Sequence, residues 1–352
     1  MKKGRERAGK FRPLVQGTPY REFILNYLFN VVCLPTKIRR FRPMITNFYL
    51  TKRCNLRCRY CYPVGDEPDS ALDFNLSLLE KIRPHSPAIN FTGGEPLLYK
   101  DLSHLLREAK KLGFSPIILS TNGVLTDRII PQAFLVDHLI ISLHSLSESV
   151  NDAVLGVPGV TQEIIKNIKH CASLSLLSGF QLSLHSVISP ETLDGIEDVA
   201  HFCQSLGVTW SVSPEHGRYY PHPELVQNQK YIRLIDRLME LKAKTQAIAC
   251  SYGYLREIRN FSEHRCYPFI SPRVEPDGRV YFPCQRIKQR HVFLQDYKSL
   301  IQLMRQEAHW TADRDCGHRC FLACYVEVEQ YIRNPLEILR EAPIQRLIFG
   351  RR

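Results

Sequence analysis

The chain has 352 residues, 44% of them hydrophobic, enough to bury a full core and to make one large domain with a smaller one beside it. No run of eighteen apolar residues occurs, which excludes a membrane-spanning helix. The net charge of +12 is uneven: residues 1–42 carry eleven Lys or Arg against Glu6 and Glu22, a local +9, so the rest is close to neutral.

Within that basic arm, residues 20–32 predict a short helix with Phe23, Ile24, Tyr27, Leu28 and Val31 on or near one face. Such a helix can pack on the outside of the main domain or lie on an anionic membrane surface. It lacks the small-residue cleavage site of a signal peptide and the aromatic interleaving of a nucleic acid-binding module.

From Met44 the pattern alternates. Strands are expected at 44–51, 88–92, 116–120, 138–144, 181–188 and 208–213, with helices around 72–82, 102–112, 161–174 and 194–206 between them. Alternation of this kind gives a parallel sheet with crossover helices. Ser142 and His144, Ser183 and His185, and Ser211 and Ser213 are polar pairs at period two. A sheet covered on both faces would bury them at a cost, so a half-open barrel with a wet interior is expected.

Twelve cysteines are present, and eight of them bunch at 54–61 and 266–324, which points to metal rather than disulfides. Cys33, Cys171, Cys203 and Cys250 stand in apolar or helical contexts and are expected to pack as small hydrophobes. Cys54, Cys58 and Cys61 follow the first strand on a polar loop with Asn55, Arg57 and Arg59. A 4Fe–4S cube takes four thiolates, so three leave one iron open to a ligand that is not protein. A zinc site would ask for a fourth Cys or His close by, and the loop has none.

The order Cys-x3-Cys-x2-Cys, with Tyr60 just before the last cysteine, resembles the signature of the radical S-adenosylmethionine (SAM) enzymes. That resemblance implies a partial (β/α)6 barrel and an open iron chelated by the methionine moiety of SAM. It also implies reductive cleavage of SAM to a 5'-deoxyadenosyl radical that abstracts hydrogen. Gly93-Gly94-Glu95 after the second strand is similar to the family's GGE motif, which binds the amino group of SAM. By the same resemblance Ser120 and Asn122 lie near the SAM ribose and carboxylate, Ser142 contacts SAM, and Val187 falls where relatives pack adenine. His144 stands where many relatives carry Asp, so no substrate role is transferred to that position.

Beyond a helix at 227–244, five cysteines return: Cys266, Cys284, Cys316, Cys320 and Cys324. Asp277-Gly278 signals a hairpin that would bring Cys284 toward Cys266. If helical, the last three share one face. The region resembles the SPASM or twitch auxiliary-cluster modules and implies a second 4Fe–4S cluster, with tetrahedral zinc as the rival. The expected organisation is therefore an N-terminal arm (1–42), a radical SAM core (43–258) and a cysteine-rich α+β extension (259–352).

The expected function is radical chemistry on a peptide or protein, with a membrane-linked lipid as the alternative. A non-catalytic iron–sulfur or zinc protein in electron transfer or assembly is the reading from another class. Glu215, His216, Arg218, Tyr219 and Tyr220 are candidates to line a substrate site at the barrel mouth. A flavodoxin or ferredoxin is implied as electron donor, and a reducing cytoplasm, with the inner membrane surface reachable through the arm, as the location.

Overall fold

A computed structural model describes residues 18–34, 41–61, 65–217, 220–245, 247–262, 264, 266–288, 290–307 and 320–340. Its frame is a sheet of strands β1 (Ile45–Tyr49), β2 (Ala88–Thr92), β3 (Ile117–Thr121), β4 (His138–Ser142), β5 (Gln181–Ile188), β6 (Thr209–Pro214) and β7 (Arg273–Val274). All neighbours pair in parallel, in the order β6-β5-β4-β3-β2-β1-β7. The first six are the expected strands. The seventh comes from the C-terminal region, so the core sheet takes an edge strand from the segment proposed as an extension.

Helices α1 (Thr18–Cys33), α2 (Leu72–Ile82), α3 (Leu102–Leu112), α4 (Glu148–Leu155), α5 (Thr161–Ser178), α6 (Ile196–Leu206), α7 (Gln229–Lys244) and α8 (Tyr252–Asn260) accompany it. The stripe Leu102, Leu105, Leu106 and Ala109 of α3 is buried, and Gly113 closes the helix in the left-handed region with φ 83°. Phe48, Phe91, Leu119, Ile141 and Leu184 form the apolar side of the sheet. Cys33, Cys171, Cys203 and Cys250 are buried as expected.

The opposite face is polar. Asn47, Asn90, Ser120, Ser142, His185 and Ser211 are half-buried at alternate strand positions. They bond sideways: Asn90 Nδ2 donates to Asn47 Oδ1 at 3.0 Å, Ser120 Oγ donates to Asn90 Oδ1 at 3.0 Å, and His185 lies 2.9 Å from Ser211 Oγ and 3.1 Å from Ser213 Oγ. This is the wet inner surface expected of an open sheet.

Helix α1 packs with a face rotated from the predicted one: Phe23, Ile24, Tyr27 and Val31 are partly buried, but its most buried positions lie to one side of that stripe. Asn26 and Asn30 turn inward, whereas Leu28 is exposed. The reason is backbone satisfaction: Asn26 Nδ2 donates to the Pro43 and His85 carbonyls, and Asn30 bonds both the N–H and the carbonyl of Arg42. Tyr27 Oη donates to the Tyr331 carbonyl at 3.0 Å, and Glu22 pairs with Arg83 at 2.8 Å. The described part of the arm is thus docked on the domain.

The C-terminal region adds β8 (Arg279–Phe282), β9 (Arg290–Phe293), α9 (Leu300–Glu307), α10 (Ala323–Arg333) and α11 (Pro335–Arg340). The Asp277-Gly278 turn forms, with Gly278 at φ 81° and Glu275 N–H bonded to the Arg279 carbonyl. The regular antiparallel ladder, however, joins β8 to β9, a strand the sequence pattern does not single out. A single helix through Cys320 and Cys324, the condition on which they would share one face, does not form. Cys320 precedes α10 and Cys324 lies in its first turn, while Cys316 lies outside the described residues. Phe321 explains the break: its N–H goes to His216 Nε2 at 2.8 Å and its carbonyl to Tyr254 Oη at 3.1 Å, so the backbone there bonds outward instead of along a helix.

Candidate active site

The cysteine loop leaves the C-terminal end of β1, where ligand sites of parallel barrels gather. Cys54 and Cys58 are half-buried and Cys61 is exposed. Each thiol has a shaped environment. Leu56 N–H points at Cys54 Sγ at 3.4 Å and Asn122 Nδ2 at 3.8 Å. Burial and the neighbouring Cys61 sulfur push the Cys58 thiol up to about 12. Such thiols hold their protons in water and release them to a metal, which is the donor chemistry that an iron–sulfur cluster requires.

Helix α4 holds the loop from below, a support that was not legible in the sequence. Arg57 N–H bonds the Leu155 carbonyl at 2.9 Å and Arg59 N–H the Val154 carbonyl at 3.1 Å, so the last turn of α4 carries the loop. Gly156, at φ 69°, ends that helix, and a Cβ there would lie 2.3 Å from the Arg57 carbonyl oxygen. On the same helix Asn151, fully buried, ties α4 to the loop after β4 and to the start of α5. Its Oδ1 accepts from His144 N–H and Ser145 N–H, and its Nδ2 donates to Thr161 Oγ1. Only folding brings these partners together.

Gly93 and Gly94 lie against the start of the cysteine loop. Added Cβ atoms would stand 2.5 Å from the Thr51 carbonyl oxygen and 2.2 Å from that of Arg53. Gly94 and Glu95 donate their N–H groups to those same carbonyls at 2.8 Å. The glycines are therefore required for close backbone approach, as the motif suggests. The Glu95 side chain is wholly buried and accepts from Leu97 N–H (3.0 Å), Thr121 Oγ1 (2.7 Å) and Asn122 N–H (2.8 Å). Burial nevertheless raises its carboxyl to about 7 against these donors. Glu95 thus ties the loop after β2 to the loop after β3. Asn122 in turn reaches back to Asn55 Oδ1 at 2.8 Å, closing a ring of three loops around the thiols.

Ser120 and Ser142 lie on the polar inner face at the ends of β3 and β4, and Val187 on the same face of β5. His144 lies past the end of β4 and is buried. Burial and the neighbouring His185 push its imidazole down to about 3, so it does not titrate near neutrality. His216 does not line an open mouth: it is buried, with Nδ1 2.7 Å from the Pro214 carbonyl and Nε2 bonded to Phe321 N–H. Glu215 is half-buried and Tyr220 exposed, while Arg218 and Tyr219 lie outside the described residues.

The described C-terminal cysteines converge on one neighbourhood. Cys266, Cys284, Cys320 and Cys324 all lie within electrostatic reach of the buried Tyr325 hydroxyl. Arg273 is stacked 3.3 Å over the Tyr49 ring, and its positive charge favours the thiolate form of both Cys61 and Cys324. Among the described residues no three His, Cys, Asp or Glu side chains approach closely enough to share one metal ion.

Comparison with known proteins bears on this geometry. Residues 48–203 match the family described as the Radical SAM superfamily. The chain is 33% identical over 182 residues to a GTP 3',8-cyclase of Aquifex aeolicus, covering 48% of this chain and 55% of that protein. It is 30% identical over 185 residues to a pre-heme d1 synthase of Dinoroseobacter shibae, covering 49% and 44%. The chain thus spans about half the length of the curated relatives it matches.

Among solved structures, Streptococcus suis SuiB bound to S-adenosylmethionine superposes with a TM-score of 0.61 at 16% identity, covering 86% of this chain and 75% of that one. The protein anSMEcpe with bound AdoMet superposes with a TM-score of 0.59 at 16% identity, covering 86% and 98%. These likenesses establish the fold, and residues 48–203, which include the three thiols on the loop after β1, match the radical SAM family.

Proposed function

We propose that this chain is an enzyme that holds a 4Fe–4S cluster on Cys54, Cys58 and Cys61 and cleaves SAM reductively to act on a peptide or protein. By the resemblance to that family, such a cluster with SAM would supply a hydrogen-abstracting radical when bound. The observation that carries the reading is the ring of loops in which Asn122 touches both Asn55 and Cys54 while Glu95 anchors Asn122. The bare backbone of Gly93 and Gly94 lets a ligand approach, and Ser120 and Ser142 offer hydroxyls on the inner face. Tyr60 and Val187 provide the apolar walls for an adenine.

The peptide reading draws on structural neighbours that cover most of this chain. SuiB has been crystallised with its precursor peptide SuiA, and anSMEcpe with the Cp18Cys peptide. Cys266, Cys284, Cys320 and Cys324, with Cys316, are the proposed ligand pool of an auxiliary 4Fe–4S cluster. An external flavodoxin- or ferredoxin-like donor would supply electrons. Anaerobically reconstituted protein given SAM, a strong reductant and a peptide library tests the reading. Deoxyadenosine with a peptide mass change supports it, and deoxyadenosine that forms only with a nucleotide or tetrapyrrole replaces the peptide. Iron without any cleavage favours the non-catalytic iron–sulfur reading.

A second substrate reading, a membrane-linked one, is favoured by α1. Leu25, Leu28 and Val32 are 47%, 52% and 64% exposed on its outer face, in the arm that carries the local +9. Among the described residues no helix is long and apolar enough to cross a membrane, so contact would be peripheral. Flotation with vesicles containing anionic lipid tests it, and no binding at low salt removes this reading.

A further inference from the structure

Because the strands run in parallel, the amino-terminal ends of all seven lie together, at the end of the sheet opposite the loop that carries Cys54, Cys58 and Cys61. Nine large apolar side chains are exposed among the described residues, and six of them stand at that amino-terminal end. Leu25, Leu28 and Val32 form one stripe on α1, a helix bonded through Asn26 to the carbonyls of Pro43 and His85, just ahead of β1 and β2. Phe134 is 67% exposed shortly ahead of β4, and Leu176 and Leu177 are 68% and 85% exposed at the end of α5, ahead of β5. An apolar hollow of about 260 Å³, lined by Ile130, Ala133, Leu174 and Phe180 among others, joins Phe134 to the tip of α5.

Polar links hold these elements in one surface. Glu22 of α1 pairs with Arg83 at 2.8 Å, and Arg83 Nε donates to the Leu112 carbonyl at the end of α3 at 3.0 Å. From α3, Lys110 pairs with Asp137 at 2.7 Å. Asp137 Oδ2 accepts from Ile117 N–H at the start of β3, and the Asp137 carbonyl accepts from Gln181 N–H at the start of β5. Arg21, Arg42, Lys110 and Lys111 are exposed at this same end.

We propose that the amino-terminal end of the sheet is a docking face for an anionic membrane surface, seated through α1, Phe134 and the Leu176–Leu177 tip of α5, with the cysteine loop turned to the aqueous side. Apolar side chains interspersed with cations match a bilayer surface, where the former enter below the headgroups and the latter meet lipid phosphate. A second copy is a poorer match, because it would set the +9 of residues 1–42 against an equal charge. Contact through this end separates binding from substrate: the chain is held at the membrane while its open site takes a partner from solution. The proposal shares vesicle binding with the membrane-linked reading but places the bilayer at the opposite end of the sheet, and it does not depend on the radical chemistry.

The full-length reconstituted chain is floated with vesicles of mixed phosphatidylglycerol and phosphatidylcholine, and with phosphatidylcholine alone. Binding is expected with the anionic lipid and should weaken as salt is raised. Leu176→Ser/Leu177→Ser should lower the partition coefficient about tenfold and leave the thermal midpoint in place, since both side chains are exposed. Orientation is read by tryptophan quenching with lipids brominated on their acyl chains. Phe134→Trp should gain quenching over wild type, whereas Tyr220→Trp, beyond the carboxyl-terminal end of β6, should not. No flotation overturns the proposal, as does equal binding to phosphatidylcholine alone. Added quenching in Tyr220→Trp but not in Phe134→Trp overturns it in favour of a bilayer at the mouth. Dimerisation that Leu176→Ser/Leu177→Ser removes, in a chain that does not float, overturns it in favour of a second copy.

Discussion

Replacing Glu95 tests the load placed on one buried carboxylate. In Glu95→Ala three donors lose their acceptor together: Leu97 N–H, Thr121 Oγ1 and Asn122 N–H. At about 1–3 kcal/mol for each buried group left unpaired, and with the Thr121 hydroxyl able to rotate, the loss should be about 3–6 kcal/mol. The assay is anaerobic urea unfolding of apoprotein, with SAM binding of reconstituted protein measured beside it. Asn122 should lose its register against Cys54 and Asn55, so SAM affinity falls even in protein that remains folded.

The pH dependence sharpens the test. The Glu95 carboxyl lies at about 7 in the folded state against an ordinary value of 4.5, so the folded state binds this proton more tightly. Its contribution to stability is full below about 4.5 and disappears as pH rises through about 7. Relative to Glu95→Gln, wild type should lose about 3 kcal/mol across that window. A Glu95→Ala loss under 1 kcal/mol, or parallel pH profiles for wild type and Glu95→Gln, would refute the assignment of Glu95 as the tie between the two loops.

Further outcomes follow from the same geometry. Cys58→Ala should hold fewer irons per chain than wild type and form no deoxyadenosine from SAM, measured by iron assay and chromatography. Gly156→Ala meets both a left-handed backbone and the Arg57 carbonyl, so iron bound by the Cys54–Cys61 loop should fall while the sheet keeps its far-UV dichroism. His216→Ala leaves the buried Phe321 N–H unpaired and should cost about 1–3 kcal/mol, with hydrogen exchange rising first in residues 320–333. Changing Leu25, Leu28 and Val32 together to Ser should abolish any vesicle binding without shifting the thermal midpoint downward, because these side chains face outward.

The parts carried by short-range signals were legible from the chain alone. Period-two and helical patterns located six parallel strands, because in such a sheet each strand buries its own apolar face and each crossover helix its own stripe. The Cys54–Cys61 spacing and Gly93-Gly94 announced the site for a similar reason: ligand spacing on one loop and close backbone approach are local properties.

What required the tertiary structure was every interaction whose partner lies far along the chain. Asn26 and Asn30 turn inward against the apolar pattern of α1 because they satisfy backbone groups at residues 42, 43 and 85. Cys320 stays outside the helix that carries Cys324 because His216 and Tyr254 claim the Phe321 backbone from more than sixty residues away. β7 joins β1 across more than two hundred residues on a two-residue ladder too short to leave a period. In the same way the sequence marked His144 only as a departure from a motif, while the fold gave it Val187 on one side and Tyr60 on the other, and so decided which nitrogen carries its proton.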